Sequence, residues 1–401
     1  MKIVHIITRL ILGGAQENTL ITCRLLAERG HEVTLITGPA IGPEGALFEQ
    51  TENAGYNVIV VDKLRREISP AIDIAAYLQI KKLLKQLEPD IVHTHSAKAG
   101  ILGRRAGRRL KGKFKGRPKN RPVIIHTVHG HAFHPFQSER RNRFYISAEQ
   151  AAAKWTDAFI SVANAMTEKA HEAGIGLNKP WTTAYSAIDE DAYLTAPTPE
   201  QTADFRRQYS IPLDATVIIK IARIFELKGH EYVIESAKTL STANPEAIWL
   251  FVGDGLLMNE RKQEIQRAGL EDRFRFTGLL QPEQIPLAIH SSDFLVHCSL
   301  REGLARVLPQ AMLCGKPVVS FDIDGAKEVV NPDTGFLVEP MNVQNLIYYC
   351  RKLLDDPALR RRLGENARQF VIDKFAPKTM VDTIEEVYNN ILSNAHIKSS
   401  R

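Results

Sequence analysis

The chain has 401 residues, too many for one compact core and enough for two domains of ordinary size. Hydrophobic residues make up 44% and charged residues 24%, the balance of a soluble globular protein, and no apolar run approaches the ~20 residues of a membrane span, which excludes an integral helical membrane protein. The formal charge of +6 is mild for this length, so its distribution matters more than its total.

In chain order, Lys2–Thr8 is a β-branched run. Arg9 and a glycine pair follow it too soon for a signal peptide, so it reads as a buried first strand. Gly13–Arg29 has helical periodicity with Gly30 as its stop, His31–Thr37 and Tyr56–Val61 are strand-like, and Pro70–Leu87 is a long amphipathic helix. Asp90–His95, Val123–Val128 and Asp157–Val162 are further apolar runs. The second half repeats the rhythm with Thr216–Ile221, Ile248–Val252, Phe274–Thr277, Phe294–His297 and Pro317–Phe321. Such alternation predicts βαβ units and parallel sheets covered by helices on both faces. The division falls near residues 185–200, where Leu194–Pro199 has the composition of a linker. The expected organisation is an N-terminal domain over 1–190, a C-terminal domain over 191–375, and a last segment, 376–401, whose helix at Lys378–Leu392 packs back on the N-terminal domain.

Cys23, Cys298, Cys314 and Cys350 form no CxxC pair and sit in apolar contexts. They read as core residues of a reduced, cytoplasmic protein and disfavour a structural zinc site.

Ligands of open α/β sheets bind beyond the carboxyl ends of the strands, so the loops there carry the candidates. Gly13 and Gly14 follow the first strand and bare the backbone before a helix. They lack the spacing of a dinucleotide fingerprint, and a tight strand-to-helix turn explains them equally. Arg223 and Lys228 share one loop, where a guanidinium fork and an ammonium can clamp a diphosphate; a solvated basic loop is the plain alternative. Glu302 sits in a turn before a helix expected to begin near Leu304, where a carboxylate can accept hydrogen bonds from sugar hydroxyls or simply meet the helix dipole. Pro309 fits only the first turn of that helix.

These pieces, in this order, resemble glycosyltransferase family 4, the retaining enzymes of the GT-B fold. The family's Arg-Leu-x-x-x-Lys-Gly loop appears as Arg223-Ile224 with Lys228-Gly229. Its glutamate motif appears as Glu302 running through Ala311-Met312-Leu313-Cys314-Gly315-Lys316-Pro317-Val318-Val319. Val252-Gly253-Asp254-Gly255, Thr277-Gly278, Asp324-Gly325 with Glu328, and Gly335-Phe336-Leu337-Val338 follow the same order, as do Gly13-Gly14-Ala15 and Thr127-Val128-His129-Gly130 in the first half. The resemblance spans nearly the whole chain. Two positions depart from it: Gln310 stands where the family has a second glutamate, and Ser186-Ala187 stands where it has Asn-Gly.

The resemblance implies an α/β protein of the GT-B class, two Rossmann-like domains facing a central cleft, and retaining transfer of a hexose-type sugar from a UDP- or GDP-linked donor to a glycan or lipid-linked glycan in cell-surface polysaccharide synthesis. Arg223 and Lys228 would stabilise the leaving diphosphate without an obligatory metal or cofactor, Glu302 would hold the donor sugar, and His129 would face the transferring centre. Gly13, Gly14, Gly253, Gly255, Gly303, Leu304, Ala305 and Gln310 complete the expected donor site. A sugar-nucleotide epimerase or phosphorylase on the same plan is the enzyme rival, and a non-catalytic membrane- or polyanion-binding module is the other.

From Ile91 to Ser138 there is no Asp or Glu, while Arg104, Arg105, Arg108, Arg109, Lys111 and Lys113 cluster within it. This basic stretch suits an anionic membrane surface, bound peripherally from the cytoplasm, or a phosphate-bearing acceptor, or a solvated loop. Only Phe114 interrupts it, which disfavours nucleic acid. His126, His129, His131 and His134 follow, but alternate strand residues point apart, so one metal site using all four is disfavoured.

Overall fold

The computed structural model describes residues 1–40, 46–110 and 121–399, with side chains as far as residue 393. Its first elements are β1 (Lys2–Ile7), α1 (Gly14–Glu28), β2 (Glu32–Thr37), β3 (Asn57–Val60), α2 (Pro70–Leu87), β4 (Ile91–His95), α3 (Ala97–Arg108), β5 (Val123–Val128), α4 (Glu139–Ala153), β6 (Ala158–Ser161), α5 (Asn164–Glu172) and β7 (Trp181–Thr183). There follow α6 (Asp191–Leu194), α7 (Pro199–Gln208), β8 (Thr216–Ile221), α8 (His230–Ala243), β9 (Ala247–Val252), α9 (Met258–Arg267), β10 (Phe274–Gly278), α10 (Ile285–His290), β11 (Phe294–His297) and α11 (Val307–Leu313). The chain closes with β12 (Val318–Phe321), β13 (Gly335–Val338), α12 (Val343–Asp355), α13 (Pro357–Val371) and α14 (Pro377–Ser399).

Two compact units result. One comprises Met1–Ala187 with Ala376–Arg401, the other Ile188–Phe375. The first holds a seven-stranded sheet in the order β3-β2-β1-β4-β5-β6-β7, the second a six-stranded sheet in the order β10-β9-β8-β11-β12-β13. Every strand pair is parallel. Strands β4, β5 and β9 are buried at every position, which is why they read as apolar or β-branched runs rather than alternating ones. In the first unit one sheet face packs Ile3, Ile7, Ile125 and Ile160 against α1 and α14, the other packs Val4, Ile6 and Val92 against α2 and α3. In the second unit Trp249, Phe251, Phe274, Phe294 and Phe321 build the core.

Local signals explain the element ends. Pro70 opens α2, and Glu88 at φ 46 closes it with its N–H on the Leu84 carbonyl. The expected linker Leu194–Pro199 is instead a helix entry: α6 ends at Leu194, and Thr198 caps α7 in a capping box with Gln201. Strands β7 and β13 were not foreseen as elements, since runs of three and four residues show no periodicity. The helix expected near Leu304 begins at Val307, and Pro309 still falls in its first turn.

Each strand order reverses direction once, between β1 and β4 in the first unit and between β8 and β11 in the second. Such switch points open a crevice at the carboxyl ends of the strands.

Candidate active site

In the second unit the loops leaving β8 and β11 meet at the switch point. The β8 loop turns sharply, with Leu227 at φ 64 and Gly229 at φ 67. A Cβ on Gly229 would lie 1.9 Å from the Cys298 carbonyl oxygen, so only glycine lets the two loops close. The Leu300 amide donates to the Leu227 carbonyl at 2.8 Å and locks them together. The result is an ion pair: Lys228 Nζ lies 2.5 Å from Glu302 Oε1, each side chain about one-fifth exposed. Arg223, on the same loop, stacks over the Phe225 ring at 5.3 Å.

Glu302 is held from several sides. Its backbone amide donates to Asp324 Oδ2 at 2.6 Å, and His297 Nε2 lies 3.6 Å from its carboxylate. Burial alone would raise its pKa, but Lys228 and His297 more than offset that and hold it well below the ordinary carboxylate range. His297 is lowered by burial, partly countered by Glu302. Beneath the pair, Lys220 is fully buried with no hydrogen-bond partner for Nζ among the described residues, and burial lowers its pKa. Sequence reasoning missed it, because a lysine inside an apolar strand run carries no pattern of its own.

The other expected donor residues divide. A Cβ on Gly253 would meet the Ala222 carbonyl oxygen at 2.2 Å, and one on Gly255 the Ile224 carbonyl oxygen at 2.3 Å. Both glycines are therefore accounted for by packing of the β9 loop against the Arg223 loop. The Gly303 carbonyl accepts the Gly325 amide at 3.3 Å, and Leu304 and Ala305 are buried beside the pair. Gln310 is buried on α11 and donates through Nε2 to the Tyr193 hydroxyl at 2.8 Å. The departure from glutamate thus creates a neutral hydrogen bond inside the unit.

In the first unit, Gly13 and Gly14 form the turn from β1 into α1, and the Gly13 carbonyl accepts the amides of Gln16 and Glu17. The Ser186-Ala187 departure is answered by buried Asn18, whose Oδ1 accepts from Ser186 Oγ and the Ala187 amide, both at 3.0 Å. His129 is half-buried just past β5, with Nε2 3.0 Å from His95 Nδ1. Its sequence neighbours go elsewhere: His126 bonds Thr94 at 2.9 Å, His131 reaches the Met166 carbonyl at 2.8 Å, and His134 lies beside Phe136. A different group gathers instead, His5 from β1 with His93 and His95 from β4, with one ring nitrogen from each within 4.8 Å of the others. The alternation His93-Thr94-His95 was the available signal, since residues two apart share a sheet face. Burial drives the His5 pKa down to about 3 and lowers His93 and His95 well below the ordinary histidine value.

The basic stretch is less uniform than its sequence. Arg104 is fully buried and bonds Glu149 at 2.6 Å, which removes it from the expected acceptor or membrane surface. Lys98 pairs with Asp73 at 2.6 Å and Arg121 with Asp157 at 2.7 Å, so acids distant in sequence neutralise part of the acid-free run. Arg105, Arg108 and Arg109 are exposed, whereas Lys111 and Lys113 lie outside the described residues. Near the ends of β1 and β4, a cavity of about 400 Å³ is lined by Arg9, Arg66, Ile68, Lys98, Phe144 and Tyr145 among others. Ile68 and Phe144 are themselves largely exposed.

Two doubly wound parallel sheets, one with a partly buried lysine–glutamate pair at its switch point, are the architecture of the GT-B class. Residues 12–192 match the model of glycosyltransferase family 4, and residues 201–370 match that of the group 1 glycosyl transferases. The chain belongs to this family and is a glycosyltransferase. It is 29% identical over 399 residues to the UDP-Gal:alpha-D-GlcNAc-diphosphoundecaprenol alpha-1,3-galactosyltransferase of Escherichia coli, covering 98% of each chain. It is 26% identical to the N-acetyl-alpha-D-glucosaminyl L-malate synthase of Bacillus anthracis, covering 92% of this chain and 91% of that one. Among solved structures it superposes on Anabaena HepE in complex with UDP-glucose with a TM-score of 0.81 at 23% identity, covering 97% of this chain and 100% of the other. No helix among the described residues is long and apolar enough to cross a membrane.

Proposed function

We propose that this glycosyltransferase moves a hexose-type sugar from a UDP-linked donor, with retention, to an acceptor carried on a lipid diphosphate. The observation that carries the donor half is the Lys228–Glu302 pair at the β8/β11 switch point. A diphosphate arriving there offers Lys228 a stronger anion than one carboxylate, and Arg223 adds a second cation from the same loop. Glu302, anchored through its amide to Asp324, is then released to accept a hydrogen bond from a donor-sugar hydroxyl. The bond from the anomeric carbon to the diphosphate oxygen breaks, a bond to the acceptor oxygen forms, and the acceptor proton leaves with the diphosphate. Charge building on the diphosphate is met by Arg223 and Lys228, while His129, at the carboxyl end of β5 in the first unit, positions acceptor hydroxyls there.

The cavity beside β1 and β4 supports the acceptor half. It joins apolar walls at Ile68 and Phe144 to the cations Arg9 and Arg66, while Lys98 and the two acids of its lining are already engaged, Lys98 with Asp73 and Glu149 with Arg104, so the charge that a lipid diphosphate would meet is that of the two arginines. The UDP of the donor and the lipid diphosphate of the acceptor are the chemistries printed in the names of the Escherichia coli relative and, for UDP-glucose, the Anabaena structure. The exposed Arg105, Arg108 and Arg109 would add attraction to anionic head groups, about 1 kcal/mol each near the surface.

The deciding assay supplies UDP-sugars and a short-chain polyprenyl-diphosphate sugar and follows UDP release and the product's anomeric configuration. Arg223→Ala and Lys228→Ala should each lose turnover by two orders of magnitude or more while remaining folded. Wild-type rates in both variants would overturn the donor assignment, and an inverted anomer would overturn retention.

A further inference from the structure

Three imidazoles stand in line from β1 to the end of β5. His5 Nδ1 lies 2.9 Å from His95 Nε2, and His95 Nδ1 lies 3.0 Å from His129 Nε2. A neutral imidazole carries one N–H and one bare nitrogen, so a ring that accepts on one side must donate on the other. The three rings therefore have two consistent arrangements. In one, His5 Nδ1–H donates to His95 Nε2 and His95 Nδ1–H donates to His129 Nε2, which leaves the hydrogen of His129 on Nδ1. In the other every hydrogen is reversed, and His5 holds its own on Nε2.

The inner end decides between them. His5 is fully buried, and its Nε2 has no hydrogen-bond partner among the described residues. A buried N–H with nothing to donate to is rarer than an unused acceptor, so Nε2 is the bare nitrogen and the chain runs outward. His93 does not interrupt it. Both of its nitrogens are engaged, Nδ1 with the Tyr388 hydroxyl of α14 and Nε2 with Thr127 Oγ1, each at 2.6 Å. Its ring centroid lies 4.8 Å from that of His5 and 4.4 Å from that of His95, which fixes their planes.

Burial keeps His5, His93 and His95 neutral. The titratable groups facing the cluster are His5 from β1, His93 and His95 from β4, His126 from β5, His129 just past β5 and Tyr388 from α14, with Cys23 of α1 and Glu385 of α14 acting on Tyr388 and Arg104 of α3 acting on His126. No carboxylate is a hydrogen-bond partner of His5, His93, His95 or His126 among the described residues. Since the inner end is sealed, no proton enters there, and the chain acts as a clamp rather than a conduit.

We propose that His5 and His95 are positioning residues that hold His129 in the tautomer with hydrogen on Nδ1, so that His129 presents a hydrogen-bond donor to an acceptor hydroxyl and not a base. The catalytic part of this statement rests on the role proposed above for His129; the tautomer itself does not.

Nitrogen NMR of the full chain labelled with ¹⁵N-histidine, with the His129 ring assigned through His129→Gln, reads the tautomer directly. In the wild type at pH 7.5, Nδ1 of His129 should show the shift of a protonated ring nitrogen and Nε2 that of a bare one. His5→Phe keeps the ring stacking and removes the inner donor. It should let His95 and His129 exchange between tautomers, giving averaged shifts at both nitrogens of His129. A wild-type His129 protonated on Nε2, or a His129 signature identical in His5→Phe, would overturn the proposal. So would stoichiometric Zn²⁺ binding by the wild type that His5→Phe abolishes, because His5, His93 and His95 would then be metal ligands. Should His5→Phe fail to fold, the wild-type spectrum still decides. Turnover of His129→Ala tests the catalytic role separately: wild-type rates there would sink that role and leave the tautomer result standing.

Discussion

At the residue scale, the site depends on charges that are paired before any ligand arrives. Glu302 is kept ionised by Lys228 and His297 against its own burial. Its folded pKa is depressed, so the stability it contributes is present above the unfolded carboxylate value of about 4.3 and is lost only as pH falls through the much lower folded value. Lys228→Met removes the largest single influence that opposes burial and raises that folded pKa. The acid limb of unfolding should therefore shift upward in pH in this variant, measured by circular dichroism between pH 6 and 2; an unchanged limb would show that the pair does not control Glu302. Arg104 makes the opposite case, a buried cation with a structural task. Arg104→Ala leaves Glu149 without its 2.6 Å partner and should cost about 3–5 kcal/mol in denaturant unfolding. Replacing exposed Arg105, Arg108 and Arg109 together by alanine should leave stability nearly unchanged and weaken sedimentation with anionic vesicles at low salt. If all these arginines behaved alike in both assays, the division between buried and exposed cations would fail.

At the element scale, two loops and one helix hold the geometry. Gly229 combines a left-handed backbone with a 1.9 Å approach of its absent Cβ to the Cys298 carbonyl oxygen. Gly229→Ala forces the β8 and β11 loops apart and should raise the Kd for UDP at least tenfold, readable by calorimetry, while the first unit keeps its hydrogen-exchange protection. Helix α14 belongs to the core of the first unit although it comes last in sequence. Met380, Val381, Ile384 and Tyr388 are buried against β1 and α1, and Arg29 bonds Asp382 and Glu385 at 2.7 Å each. Tyr388→Phe removes the hydroxyl bonded to His93 and keeps the ring, so it should cost about 1 kcal/mol or slightly more in thermal or denaturant unfolding.

At the scale of the whole molecule, the two ends of the second unit meet. The Ile188 amide donates to the Phe375 carbonyl at 3.0 Å, so the two ends of Ile188–Phe375 lie side by side. A unit with adjoining ends and its own aromatic core satisfies the conditions for independent folding. The fragment Ile188–Phe375 should unfold cooperatively by calorimetry and gain stability from UDP by mass action. The fragment 1–187 lacks α14 and should stay unfolded or aggregate until 376–401 is supplied. A stably folded 1–187 fragment would refute the assignment of α14 to that core.

The sequence by itself determined the succession of strands and helices, because strands buried on both faces need continuous apolar residues and helix ends need particular caps. Pro70–Leu87, Val123–Val128, Thr216–Ile221 and Phe294–His297 were legible to the residue for that reason. It also set the loops that carry Arg223, Lys228 and Glu302 at strand ends. Tertiary structure decided what those residues meet. Strand order brought Lys228 against Glu302 across 74 positions of chain, and His5 against His95 across 90. It paired Arg104 with Glu149, turned Gln310 toward Tyr193, and gave Gly253 and Gly255 a packing reason that spacing alone left open. The physical cause is the same throughout: periodicity and capping act over a few residues, whereas charge neutralisation, loop closure and imidazole chains depend on which strands lie side by side.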